Sequence, residues 1–401
     1  MSGDTERKQT RLRIVVTGGG SGGHITPILA VAHRLKVLRP GCEIIYIGQT
    51  GDSLGDIPAQ DPHIDAVYTV RAGKLRRYHG EGLRQLLDVP TVAKNIRDVG
   101  FVVAGLGQSY KLLRRLKPDV VFIKGGFVGV PVGLAAARLG IPYITHDSDA
   151  LPGLANRLIA PWAAKHAVAL PAEVYKYPAD RTVTVGVPVS HHFEPLDEAG
   201  LAAARQRIGL QPGQRAVLVT GGGLGAHRLN TAVLSSAHAL LSCYAEVVLY
   251  HMSGRSLQTE LEKSYDEAME KKNRPRVRVI GFATNLYDYS AAADVVITRA
   301  GGTSMAEFAV QAKACIVVPN PQLTGGHQSK NAQILSERQA ARVVSEPELL
   351  HTPAALWPVI RELLDDDSAR QQLGARLHTL AQPDAARKLA MLLLEEADKR
   401  R

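Results

Sequence analysis

Cysteine is scarce in this chain of 401 residues. Cys42, Cys243 and Cys315 lie far apart, with no C-x-x-C pair among them. That spacing excludes a disulfide framework and a cysteine zinc site, and it suits a reducing compartment. Aromatic residues make up only 5%, and no DNA- or RNA-binding motif is present, so no nucleic-acid partner is expected. No apolar run approaches the roughly 18–20 residues of a membrane span. Met1–Arg13 is polar and charged, and the run Ile14–Val16 that follows is too short for a secretory signal. Acidic residues are outnumbered: 48 Lys and Arg stand against 38 Asp and Glu, a formal charge of +10. Such a surface attracts anions, including phosphorylated substrates and anionic lipid.

What is present is repetition. A length of 401 residues, with 45% hydrophobic residues, 21% charged residues and 37 glycines, fits two soluble α/β domains. RIVVT (13–17), EIIYIG (43–48), PDVVFIKGG (118–126) and PYITHD (142–147) are short β-branched runs separated by helical patterns. The first helix is expected from about Pro27 to Leu38. The pattern then restarts at RAVLVTGGGLGAHRLN (215–230), followed by AEVVLYHMSG, RVRVIGF, ADVVITRAGG and KACIVVPN. Two halves that each open with a strand and a glycine loop imply a duplicated Rossmann-like unit with parallel sheets. The join is expected within VGVPVSHHFEPLDEAG (185–200). This predicts domains at 1–190 and 191–375, with a helical tail at 376–401 that packs back toward the first domain.

The opening motif is IVVTGGGSGGHITP. Gly18, Gly20 and Gly23 fit G-x-G-x-x-G, and glycines let the backbone approach a phosphate at a helix start. A dinucleotide site also wants an acid at the end of the second strand. Here EIIYIG ends in Gly48-Gln49, and the nearest acid is Asp52. His24 closes the loop at a helix N-terminus, where the positive helix end favours a neutral imidazole; it is either a base or a loop cap. In TRAGGTSMAEFA (298–309), Arg299, Gly301-Gly302, Thr303 and Ser304 open a helix suited to a diphosphate. Glu307, one turn further on, suits a ribose diol. The same residues also read as an ordinary capped helix start. His327, Gln328 and Asn331 follow a strand and suit sugar hydroxyls. Asp147-Ser148-Asp149 is a D-x-D that keeps a metal site open, whereas Asp365–Asp367 reads as solvated charge.

Taken together, these stretches resemble the UDP-N-acetylglucosamine:lipid I N-acetylglucosaminyltransferases of peptidoglycan synthesis (MurG). TGGGSGGHITPILAVA, KPDVVFIKGGFVGVPVGLAAARLGIPYITHD, GGGLGAHRLN, ADVVITRAGGTSMAEFA and GGHQSKNA occur in that family's order over nearly the whole chain. The resemblance implies a GT-B fold, two Rossmann-like domains facing across a cleft. It implies a UDP-GlcNAc donor in the second domain. Gly222, Gly223 and Gly302–Ser304 would lie along its diphosphate, with Arg299 beside them. Phe282 and Ala283 would flank the uracil, Glu307 would hold the ribose, and His327 and Gln328 would read the GlcNAc. His24 would be the base. Thr17, Gly18, Gly19, Gly20, Gly22, Gly23 and Asp149 would lie near the acceptor diphosphate. The implied reaction needs no metal or other cofactor and gives lipid II at the cytoplasmic face of the membrane, with cell-wall synthesis proteins as potential partners. Lys74, Arg76 and Arg77, together with KLLRRLK (111–117), are expected to meet an anionic bilayer surface.

Three positions depart from the family pattern. H-E-Q-N becomes His146-Asp147-Ser148-Asp149, the arginine after G-x-P-V becomes Ser190, and a serine of the second loop becomes Gly223. Rival readings share the donor half: a transferase for another glycolipid such as diacylglycerol, a UDP-GlcNAc 2-epimerase, or a non-catalytic nucleotide-sugar-binding subunit.

Overall fold

Both halves fold into parallel sheets. The computed structural model describes residues 11–73, 89–222, 225–322 and 326–401, with backbone alone at 89–97. In the first domain β1 (Arg13–Thr17), β2 (Glu43–Gln49), β3 (Ala66–Val70), β4 (Val120–Ile123), β5 (Tyr143–Asp147), β6 (Lys165–Val168) and β7 (Thr182–Thr184) lie in the order β3-β2-β1-β4-β5-β6-β7. In the second, β8 (Arg215–Thr220), β9 (Val247–Met252), β10 (Val277–Ile280), β11 (Val295–Thr298), β12 (Cys315–Val317) and β13 (Arg342–Val343) lie in the order β10-β9-β8-β11-β12-β13. Val15 sits beside Ile45 on one side and Val121 on the other. Strands such as β4, buried at every residue, read as continuous apolar runs because helices cover both faces of the sheet.

The helices of the first domain are α1 (Gly22–Leu38), α2 (Asp56–Gln60), α3 (Val89–Leu116), α4 (Gly129–Arg138) and α5 (Leu154–Ile159). The second domain carries α6 (Glu198–Arg207), α7 (His227–Cys243), α8 (Gln258–Ala268), α9 (Leu286–Ala292), α10 (Gly302–Val310), α11 (His327–Glu337), α12 (Glu346–His351), α13 (Leu356–Asp365) and α14 (Asp367–His378). The last helix, α15 (Ala385–Arg400), crosses back. Its Leu389, Ala390, Leu393 and Ala397 join the core formed by Ile28, Val31 and Leu35 of α1.

Each sheet reverses its direction of growth between two strands, β1 and β4 in the first domain and β8 and β11 in the second. In open α/β sheets a ligand crevice forms beyond the strand C-termini at such a reversal. The two glycine loops and the Gly301-Gly302 turn follow β1, β8 and β11 directly, so the topology alone brings them to these crevices.

Three expectations are corrected here. α1 begins at Gly22, five residues before Pro27, so Gly23 and His24 lie in its first turn. Pro27 sits inside the helix, where it has no N–H to give to the Gly23 carbonyl. The acidic run 365–367 is more than solvated charge, because the Asp366 carboxylate accepts from Ala369 N at 2.9 Å and caps α14. In KLLRRLK, Leu113 and Leu116 are buried in the first domain's core while Lys111, Arg114 and Arg115 face outward. Those leucines hold α3 to the sheet and do not face a bilayer. Lys74, Arg76 and Arg77 lie outside the described residues. No helix among the described residues is long and apolar enough to cross a membrane.

Candidate active site

The first crevice is built around His24. Its Nδ1 lies 2.9 Å from the Gly19 carbonyl oxygen and 3.2 Å from Ser21 Oγ. A carbonyl can only accept, so Nδ1 carries the proton and Nε2 carries the lone pair. Nε2 faces Gly125, where an added Cβ would lie 3.7 Å from it. Gly125 and Gly126 adopt φ of 113° and 80°, a region that favours glycine. A Cβ on Gly126 would come within 2.7 Å of the Gly19 oxygen, so this K-G-G turn can lie against the first loop only without side chains. Burial, then the charge of Lys124, pushes the His24 imidazole down to about 4, against the opposing pull of Gly19 O, Asp149 and Asp52. The ring is neutral at cellular pH.

The rest of the first loop is more packed than its sequence suggests. Thr17 Oγ1 donates to Ile47 O at 2.7 Å inside the sheet. The Tyr46 hydroxyl donates to Gly18 O. A Cβ on Gly18 would lie 2.8 Å from Ile28, and one on Gly19 would lie 2.8 Å from Asp52. Gly20 N donates to Asp52 Oδ2 at 2.7 Å. Thr17, Gly18 and Gly19 are buried and brace the loop. The accessible part runs from Gly20 to Gly23, the last two in the first turn of α1. Asp52, the acid in the wrong place for a dinucleotide, folds back to hold the loop.

The second crevice lies opposite. Gly222 is exposed with φ of 86°; Gly223 lies outside the described residues. Gly302, Thr303 and Ser304 form the first turn of α10. Phe282 and Ala283 line a depression of ≈ 490 Å³ with Gln258, Asn285 and Tyr289, and the Arg255 guanidinium covers the Phe282 ring at 4.7 Å. His327 opens α11. Gln328 is buried, and its Oε1 accepts from Asn320 N at 2.8 Å, fixing the turn before α11. Arg299 is a correction: it points away from the cleft. Its Nη2 donates to Glu346 Oε1 at 2.6 Å and its Nη1 to Val318 O at 3.1 Å, all within the domain interior.

The crevices touch. Thr303 Oγ1 donates to Gly23 O at 3.1 Å, the carbonyl that Pro27 leaves without a helical partner. Arg255 reaches Asp56 with paired contacts of 3.2 Å. Asp149 Oδ1 accepts from Gly302 N at 3.1 Å and from Asn331 Nδ2 at 2.7 Å. Asp149 thus belongs to the first domain but binds the second, at the helix start assigned to the donor. Asp147 turns the other way, accepting from Gly153 N, Asn156 Nδ2 and the Tyr177 hydroxyl. The two carboxylates of the D-x-D do not converge, and no group of three or more His, Cys, Asp or Glu among the described residues is arranged to hold a metal ion.

Glu307 is buried beside Thr26 of α1, and burial raises its carboxyl to about 8. The closed arrangement therefore holds a proton that an open cleft would release from a group with an ordinary value of 4.5. Closure is fully supported below 4.5 and loses that support as pH rises through about 8. The expected result is a radius of gyration, measured by small-angle scattering, that grows between pH 6 and 9. Glu307→Gln should stay compact throughout; a pH-independent wild type would remove this role.

Lys124 was missed by sequence reasoning. It directly follows β4 next to the first loop, is buried, and donates its backbone N–H to Thr17 O. The available signal was a lysine placed between a fully apolar strand and two glycines, at the sheet's reversal point.

Two Rossmann-like domains whose glycine loops and helix N-termini meet at one cleft define the GT-B fold. Family models agree: the glycosyltransferase family 28 N-terminal domain matches residues 14–168 and its C-terminal domain matches 216–389. The chain is 32% identical over 388 residues to the UDP-N-acetylglucosamine--N-acetylmuramyl-(pentapeptide) pyrophosphoryl-undecaprenol N-acetylglucosamine transferase of Moorella thermoacetica, covering 96% of this chain and 100% of the relative. It is also 32% identical to the Bacillus cytotoxicus protein of that name, covering 94% and 97%. The chain belongs to this transferase family, MurG. The crystal structure of Acinetobacter baumannii MurG shares the fold, with a TM-score of 0.65, 22% identity and coverage of 96% and 99%.

Proposed function

We propose that this protein transfers GlcNAc from UDP-GlcNAc to the MurNAc 4-hydroxyl of undecaprenyl-diphosphate-linked muramyl peptide, lipid I, forming lipid II with inversion at the sugar. The observation that supports the mechanism is the neutral His24, whose Nδ1 is held by Gly19 O so that Nε2 keeps its lone pair, beside Gly125. The acceptor oxygen attacks C1 of GlcNAc, the bond from C1 to the β-phosphate oxygen breaks, and the acceptor proton passes to Nε2. Charge grows on the departing UDP. The amides of Gly302–Ser304 and the positive end of α10 meet that charge, with the second glycine loop beside them. In this reading catalysis needs no divalent metal, in keeping with the divergent Asp147 and Asp149. His327 and Gln328 read the sugar, Phe282 and Ala283 the base. Glu307 meets the ribose when the cleft widens past Thr26.

The acceptor is a membrane lipid, so the enzyme works at an anionic surface. The basic segment around Lys74, Arg76 and Arg77 precedes α3, whose Val99 and Val103 are exposed. Apolar residues beside cations suit a bilayer interface. The cytoplasmic face follows, because UDP-sugars are cytoplasmic.

Radiolabel transfer from UDP-GlcNAc to a short-chain lipid I analogue in EDTA tests the reading, with diacylglycerol in a parallel tube. Transfer to lipid I is expected. Transfer to diacylglycerol alone would move the assignment to another glycolipid, and release of free sugar or an epimer would move it to an isomerase. Cosedimentation with liposomes should require anionic lipid and weaken with salt.

A further inference from the structure

Two charged groups at the floor of the cleft lack the arrangement their chemistry asks for. The Asp149 carboxylate lies across the domain boundary on the Gly302 amide, bracketed by Asn331. That asparagine donates to Asp149 and to Ala300 O at 2.9 Å while its Oδ1 accepts from Ala150 N at 3.3 Å. An intramolecular anion thus occupies the helix start where a phosphate would bind. The Lys124 side chain, by contrast, is buried over most of its length, and its Nζ, at the rim of that burial, has no hydrogen bond and no ion pair within 4.0 Å among the described residues. A cation stripped of part of its hydration and without a carboxylate partner is held at a cost. Asp149 is the strongest charge acting on it, ahead of Asp147. Asp147 is already held by Gly153, Asn156 and Tyr177, so it is not available to move.

We propose that Asp149 is a two-position carboxylate: it holds the Gly302 amide until the donor's diphosphate takes that place, then pairs with the ammonium of Lys124. The inference rests on the reading of the α10 N-terminus as the donor diphosphate site. The argument is one of charge. A diphosphate and a carboxylate cannot share one amide in a water-poor cleft without strong repulsion. A side-chain rotation of Asp149 relieves that repulsion. The same rotation gives Lys124 the partner it lacks. It also breaks the link from Asp149 to Asn331, so donor binding loosens one interdomain contact while the phosphate supplies another. Asp149 acts here as a positioning residue that sets donor affinity. Lys124 acts through Asp149 and is not a phosphate ligand.

The test is a double-mutant cycle on the full chain, with UDP binding measured by calorimetry. Asp149→Asn keeps the side chain's shape and removes the competing charge; UDP should bind roughly tenfold more tightly. Lys124→Met removes the second position; UDP should bind roughly tenfold more weakly. The double variant should recover the affinity of Asp149→Asn, because a carboxamide needs no ammonium to receive it. Unchanged or weaker UDP binding by Asp149→Asn overturns the exchange. So does a Lys124→Met loss that persists in the double variant, which would make Lys124 a direct phosphate ligand. If Lys124→Met does not fold, Asp149→Asn alone still decides. Labelled GlcNAc transfer by the wild type, together with failure of the cycle, would leave the transferase reading intact; absence of UDP binding by every variant and the wild type would sink both.

Discussion

His24→Ala lowers kcat by about 10²–10⁴ while leaving UDP affinity nearly unchanged, the range expected for loss of a positioned general base. The geometry argues for this separation. The imidazole belongs to the first domain, and its Nδ1 is held by Gly19 O. The donor's proposed contacts come from the second domain. Removing the ring leaves those contacts in place and takes away the proton acceptor. Burial and Lys124 hold the imidazole at about 4, so protonation should not switch off the base near the ordinary histidine value of 6.5. The acid limb of the kcat profile should fall below pH 6, shifted upward from 4 by whatever negative charge the bound diphosphate adds. His24→Gln keeps an amide at the site but no base, and it should be as slow as His24→Ala. Single-turnover kinetics with labelled donor would check this; a kcat within threefold of wild type would remove His24 from the chemistry.

Glu346→Ala lowers the stability of the second domain by about 3–5 kcal/mol, the usual cost of breaking a buried ion pair from one side. Glu346 is 2% exposed. It accepts from Arg299 at 2.6 Å and from Arg228 at 3.1 Å. Its loss leaves Arg299, only 7% exposed, with Val318 O as its remaining partner. This pair ties the end of β11 to the start of α12, directly behind the α10 turn. Arg299→Met should destabilise less, because Arg228 still reaches Glu346. If Arg299 served the donor, its variant would raise the donor KM; in the structure it serves the framework, so the folded fraction should bind UDP normally. Thermal denaturation monitored by circular dichroism separates the outcomes. A melting-temperature change under about 2 °C would show that the pair does not carry the domain.

The framework of this protein was legible in one dimension. Alternating β-branched runs and helical patterns are local signals, and they placed both parallel sheets and the restart at Arg215. Glycine after a strand is also a local signal, and it placed the loops at the crevices. Pro27 misled for an equally local reason: it suits a helix start, yet this helix tolerates it inside because the freed Gly23 carbonyl finds Thr303 in the other domain.

The sequence by itself determined the fold class, the duplication, the family and the candidate base. Only the tertiary structure decided which polar groups meet. Asp149 and Gly302 are 153 residues apart, and Gly23 and Thr303 are 280 apart. Arg299 sits next to the right loop in sequence, but its side chain follows the deepest carboxylate it can reach, Glu346. Lys124 carries no motif; its meaning comes from burial without a partner. Periodicity and turn chemistry act over a few residues and survive in the sequence, whereas charge pairing follows distance in space, which only the folded chain fixes.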